Sequence, residues 1–297
     1  MFANPVQPQI FKYFSSIMSL AFLFPGQGSQ SVGMGADLFE RFPKVVSEAD
    51  ELLGYSIRSL CLDNPDGKLG RTEHTQPALY VVSYLHALSL IEDGSQPTLS
   101  AGHSVGEFAA LASAGSIDFS DGLRMVAKRG EIMSKVKGGG MAAVIGLDAE
   151  AIREALSTLS SPDIDLANFN SPGQIVVSGP AEQIKEIIAP LKEAGAKLVV
   201  PLKVSGAFHS RMMEEPALQF KEFLGSFSFL QPQIPVYSNV EAQPYADAET
   251  IPSLLVRQIH SPVRWTETIV KMREAGAQEF QECGPGNVLT KLLRQIP

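Results

Sequence analysis

Residues 98–112 read TLSAGHSVGEFAALA. The opening residues, Thr98 to Ala101, suit a brief strand. Gly102 to Gly106 suits a tight turn, and the remainder through Ala112 suits a helix. Within the turn, Gly102-His103-Ser104-Val105-Gly106 fits G-x-S-x-G, set between strand and helix. A serine on such a turn is held up for attack, and side chains at the flanking glycine positions would crowd it. The helix that follows aims its N-terminus at the same place. Free amides there, Val105 N–H among them, can stabilise a developing oxyanion.

Working outward, strands and helices alternate. Ala21 to Phe24 is a short apolar run closed by Pro25-Gly26, which reads as a buried strand. Residues 34–53, 76–90 and 120–136 read as helices, with Pro77 in the first turn of the second. That alternation argues for a parallel α/β sheet. The character changes at Gly138-Gly139-Gly140, read as a flexible joint. Strand 141–145, helix 149–159, strands 165–167 and 174–178, helix 181–194 and strand 197–201 then follow. This β-α-β-β-α-β order fits a small ferredoxin-like domain. The chain returns to the larger domain near Ser205. Strands at 234–237 and 279–282 and a helix at 288–294 complete it. The expected division is 18–138 and 205–297 for the large domain and 139–204 for the small one. Residues 1–17 read as an extension with no role in the fold.

The 297 residues are 44% hydrophobic and 19% charged, an ordinary globular composition. A net charge of -8 argues against nucleic-acid binding, which wants basic surface. Cys61 and Cys283 form no CxxC pair, so neither a disulfide framework nor a zinc site is expected. No apolar stretch reaches transmembrane length. A reducing cytoplasm is the simplest home.

Serine needs a base to become a nucleophile. The histidines are His74, His86, His103, His209 and His260. His86 falls in an apolar helix, and His103 adjoins Ser104 with its ring expected to point away from the hydroxyl. His74 and His260 fall in polar segments read as loops. His209 follows a small-residue loop, which gives it a modest edge and leaves His74 and His260 open. For Arg129, residue type and neighbours Arg124 and Lys128 suggest a solvated helix face.

An ordered set of motifs decides further. Phe24-Pro25-Gly26-Gln27-Gly28-Ser29-Gln30, Thr75-Gln76-Pro77-Ala78-Leu79, Gly102-His103-Ser104-Val105-Gly106-Glu107, Gly206-Ala207-Phe208-His209-Ser210, Ser261-Pro262-Val263-Arg264-Trp265 and Gly284-Pro285-Gly286 follow one another. Together they resemble the bacterial malonyl-CoA:acyl carrier protein transacylases, from about Met18 to the C-terminus. The expected fold is then α/β: a large α/β-hydrolase-like domain with a parallel sheet, plus an inserted small ferredoxin-like α+β domain. The resemblance implies Ser104 as the acylated serine and His209 as its base. It implies an oxyanion hole from the amides of Gln27 and Val105, and Gln258 as the residue whose main-chain carbonyl orients the histidine. Arg129 would grip the malonyl carboxylate through paired hydrogen bonds. Asn168, Asn170 and Ser171 would form a loop near the pantetheine arm. The implied partners are malonyl-CoA and acyl carrier protein, with no cofactor, no metal and a monomeric state. Lys128, Lys135, Lys137, Lys291 and Arg294 are candidates for meeting the acidic carrier. Primary fatty acid synthesis is the default pathway, and a polyketide system the alternative. A serine esterase or thioesterase shares G-x-S-x-G, and a non-catalytic docking subunit with a relict site is the reading from another class.

Overall fold

The computed structural model describes residues 19–159, 163–204 and 206–297. The proposed extension 1–17 and the return at Ser205 lie outside those residues. Eight strands are described: β1 (Ser19–Phe24), β2 (Pro97–Gly102), β3 (Gly139–Ile145), β4 (Asp165–Ser171), β5 (Gln174–Pro180), β6 (Leu198–Pro201), β7 (Val236–Tyr237) and β8 (Ala277–Glu282). They form two sheets. One is parallel in the order β7-β2-β1-β8, and the other is antiparallel in the order β4-β5-β3-β6. The α/β reading, with a parallel sheet and a separate ferredoxin-like sheet, is thus correct.

The central strands β1 and β2 are buried along their C-terminal halves, as all-parallel strands covered on both faces must be. Helices Thr72–Glu92, Gly106–Ser113 and Phe119–Ser134 pack together above them, burying Leu79, Val82, Phe108, Leu111, Leu123 and Val126. A smaller cluster on the other face joins Leu23, Ala101, Trp265, Ile269 and Leu289. The antiparallel sheet carries its own core, with Val144, Ile152, Val177 and Leu191 at its centre.

Several elements differ from the sequence reading, each for a local reason. The helix expected over 34–53 is two, Ala36–Arg41 and Pro43–Leu53. Pro43 drives the preceding Phe42 out of the helical region, to φ -121 and ψ 53. The 181–194 helix likewise divides into Ala181–Glu186 and Ile188–Glu193, where Pro190 withholds the amide that would bond back to residue 186. The second helix begins at Thr72 rather than Gln76, so Pro77 lies inside it and not in its first turn. His74 and His260 sit in helices, Thr72–Glu92 and Ile251–His260, and not in loops. Gly139 and Gly140 are no flexible joint: they pair with Pro180 and Gly179 as the start of β3. A Cβ on Gly139 would stand 2.3 Å from Ala207 N, so glycine is there for close backbone approach. Asn168, Asn170 and Ser171 lie in β4 instead of a loop. Helices Ile57–Leu62, Glu214–Leu224, Ile251–His260 and Trp265–Glu274 went unread.

Candidate active site

β2 ends at Gly102, and the Gly106–Ser113 helix begins four residues later. Between them the chain turns so sharply that Ser104 takes φ 51, left-handed for a residue with a side chain. Both glycines are obligatory. A Cβ on Gly102 would lie 2.0 Å from the carbonyl carbon of Gly106, and one on Gly106 would lie 2.2 Å from Phe24 O. Asn239, just past the end of β7, ties the turn down. Its Oδ1 accepts from Ser104 N at 2.7 Å and its Nδ2 donates to Gly102 O at 2.6 Å.

His209 also has a left-handed backbone, φ 57, and is buried. Its Nδ1 lies 2.7 Å from Gln258 O and its Nε2 lies 2.8 Å from Ser104 Oγ. A carbonyl can only accept, so Nδ1 carries the proton and Nε2 is free to accept from the serine hydroxyl. Burial, then the nearby positive charge of Arg129, lower the pKa of His209 to about 3. The imidazole is therefore neutral in the resting enzyme. His74 and His260, still open on sequence, do not touch Ser104.

Arg129 is only 1% exposed, so the solvated-face reading fails. The Phe119–Ser134 helix turns it inward, toward the Phe108 ring 5.8 Å from its guanidinium carbon. It donates to Gln76 Oε1 at 2.8 Å, to Gln258 Oε1 at 2.8 Å and to Ser104 Oγ at 3.2 Å. Those partners are all neutral. Its Nε has no hydrogen-bond partner among the described residues, and burial lowers its pKa to about 10. The Glu107 carboxylate attracts it without bonding to it, so a buried guanidinium whose hydrogen bonds all go to neutral groups is left to receive an anion.

Ser104, Val105, His209, Arg129, Gln27 and Asn168 line one cavity of about 80 Å³. Such a space suits a short acyl group. Asn170 lies in an adjoining cleft of about 380 Å³ that also reaches Gln27 and His103. There His103 Nε2 donates to Asn170 Oδ1 at 2.8 Å, so its ring does point away from the serine. Gln258 does not line the cavity; its carbonyl accepts from His209 and its side-chain oxygen accepts from Arg129. A cleft of about 610 Å³ reaches His209 but not Ser104, which makes it a poor place for the reacting carbonyl.

Sequence reasoning gave no role to Gln76, Glu107 or Asn239. Gln76 and Glu107 lie inside quoted motifs, which was the available signal. Asn239 had none beyond its place after a strand, at the carboxyl edge of the sheet where such sites form.

An acyl transferase domain family model matches residues 21–296. The chain is 49% identical over 280 residues to the polyketide biosynthesis malonyl CoA-acyl carrier protein transacylase PksC of Bacillus subtilis, covering 93% of this chain and 96% of that one. It is 50% identical over 277 residues to the polyketide biosynthesis protein ThaF of Burkholderia thailandensis; the match takes 93% of this chain and spans only 24% of ThaF. Among solved structures, the malonyl CoA-acyl carrier protein transacylase of Burkholderia pseudomallei superposes with a TM-score of 0.91 at 45% identity, over 94% of this chain and 98% of that one. Fold and site together define an enzyme that transfers acyl groups. The chain belongs to the acyl transferase family.

Proposed function

We propose that the protein moves a malonyl group from coenzyme A to the phosphopantetheine thiol of an acyl carrier protein, through a malonyl ester on Ser104. One observation carries the reading: Ser104, a neutral His209 and an anion-seeking Arg129 face one small cavity. His209 Nε2 takes the hydroxyl proton as Ser104 Oγ attacks the thioester carbonyl. The resulting oxyanion rests on the amides of Gln27 and Val105. The C–S bond breaks, His209 returns the proton to the departing thiolate, and malonyl remains on Ser104. The carrier thiol then attacks the ester and the same groups run in reverse. Gln258 O keeps the imidazole in the required tautomer, so the site is a dyad with a neutral orienter. Arg129 binds the malonyl carboxylate, while Asn168 and Asn170 face the pantetheine arm. No step calls on a metal or a redox cofactor.

The relatives named for polyketide biosynthesis, at 49% and 50% identity, favour a polyketide carrier as acceptor. A fatty acid carrier is the acceptor expected from the sequence alone. We place the enzyme in the cytoplasm as a monomer; no helix among the described residues is long and apolar enough to cross a membrane.

Intact mass spectrometry tests the reading. The enzyme is mixed with malonyl-CoA or acetyl-CoA, then with each carrier. A malonyl adduct, absent in Ser104→Ala, should vanish as a carrier gains the same mass. An adduct that decays in water without reaching a carrier would make the protein a hydrolase.

A further inference from the structure

The mechanism above leaves Glu107 without a task, although its side chain is fully buried (0% exposed) at the start of the nucleophile helix. A buried carboxylate needs donors, and this one has them from three directions. Oε2 accepts from Gln258 Nε2 at 2.6 Å, Oε1 accepts from the Tyr245 hydroxyl, and both oxygens lie 3.3 Å from Asn239 N. Tyr245 and Arg129 are the titratable and charged side chains acting on it, with Gln258 and Asn239 as neutral partners.

The Gln258 contact matters most. A side-chain amide has a donor end and an acceptor end. The donor end of Gln258 meets Glu107 and, at 2.9 Å, Ser104 O; the acceptor end meets Arg129 Nη2 at 2.8 Å. Were the amide reversed, its NH₂ would face the guanidinium, donor against donor. Its oxygen would face the carboxylate, acceptor against acceptor. Arg129 and Ser104 O favour the observed orientation too, and the Glu107 carboxylate, which can only accept, adds the strongest acceptor for the donor end. Asn239 links the same carboxylate to the backbone of Ser104.

We propose that Glu107 is a positioning residue whose carboxylate fixes the Gln258 amide, so that Arg129 is held beside Ser104 and the site prefers acyl groups bearing a carboxylate. This rests on the malonyl-transfer reading and adds the group that sets its selectivity. Burial raises the Glu107 pKa to about 7, against the opposing pull of its hydrogen bonds and of Arg129. His209, at about 3, does not titrate in that range. The charged form of Glu107 holds the clamp, so the preference is full above neutrality and declines as pH falls through it.

The experiment reads the ratio of malonyl to acetyl transfer onto Ser104 by rapid-quench intact mass, across the neutral pH range. Glu107→Gln should lower the ratio about tenfold or more, the size of one charge-assisted hydrogen bond, and remove its pH dependence. Tyr245→Phe keeps the carboxylate but removes a donor, so the decline should move to higher pH. A purely structural role would slow both donors alike and leave the ratio unchanged. A folded Glu107→Gln enzyme with the wild-type ratio overturns the proposal. If that variant does not fold, an unmoved decline in Tyr245→Phe overturns it. A wild-type enzyme that prefers a different carboxylate-bearing acyl group corrects only the substrate, and the ratio is read with that donor. A wild-type enzyme with no preference for a carboxylate overturns the functional reading and this one together.

Discussion

Ser104 and His209 both hold left-handed backbone, φ 51 and 57, at the two positions that share the 2.8 Å hydrogen bond. Such conformations cost about 1–3 kcal/mol each and persist only where surroundings enforce them. Around Ser104 the enforcement comes from Asn239 and from the two flanking glycines. Gly106→Ala should therefore destabilise the fold by at least 2 kcal/mol or so and abolish acyl-enzyme formation, since the new methyl would meet Phe24 O. Thermal denaturation and intact mass would check both effects. Arg129→Ala tests the clamp: malonyl transfer should fall about a hundredfold with much less effect on acetyl transfer, as for removing one partner of a buried charge contact. Equal loss for both donors would count against it. Ser104 was legible from the sequence because the two glycines that its turn requires flank it in the chain. The Gln76–Arg129 contact was not, because it joins residues 53 apart on different helices.

At the scale of elements, helices Thr72–Glu92 and Phe119–Ser134 meet where Gly122 faces Tyr80. A Cβ there would stand 2.1 Å from the Tyr80 hydroxyl, which bonds Phe119 O at 3.1 Å. Gly122→Ala should push the helices apart and destabilise the protein by about 1–3 kcal/mol in denaturant unfolding, and Arg129 on the same helix should lose malonyl transfer with it. The Gly284-Pro285-Gly286 motif also gains meaning at this scale. Gly284 N donates to His86 Nδ1 at 2.9 Å, and a Cβ at Gly284 would run into Pro25 and Ser83. The motif thus buttresses the turn that carries Gln27. Trp265, fully buried and 5.5 Å from the His103 ring, anchors the start of its helix. Trp265→Ala should cost about 3–5 kcal/mol, measurable as a lowered denaturation midpoint.

Across the whole molecule, the cavity draws on both sheets: Ser104 and His209 from the parallel side, Met141 and Asn168 from the antiparallel side. Two backbone hydrogen bonds join the sides, Phe169 N to Val263 O at 2.9 Å and Val263 N to Ala167 O at 2.8 Å. Arg211 adds an ion pair to Asp165 at 2.6 Å. Unfolding should consequently be a single transition, with fluorescence of the lone Trp265 and far-ultraviolet dichroism coinciding. Two separate transitions would mean that the antiparallel sheet opens independently.

The sequence by itself determined the alternation of elements, the turn at Ser104 and the ordered motifs. Each depends on near neighbours: apolar periodicity, glycine freedom and the spacing of short segments. The reading failed at Phe42 and at Pro77, where two prolines act in opposite ways. Pro43 breaks a helix because the residue before it must leave the helical region, while Pro77 is carried inside a helix locked by buried packing. The motifs assigned His209 and Arg129 by resemblance; only the tertiary structure showed that His209 meets the serine and that Arg129 points inward rather than to water. It alone brought Glu107, Gln258 and Arg129 into one chain of hydrogen bonds. These outcomes depend on burial and on contacts between residues far apart in the chain, and the charge of a buried group has meaning only once its partners surround it.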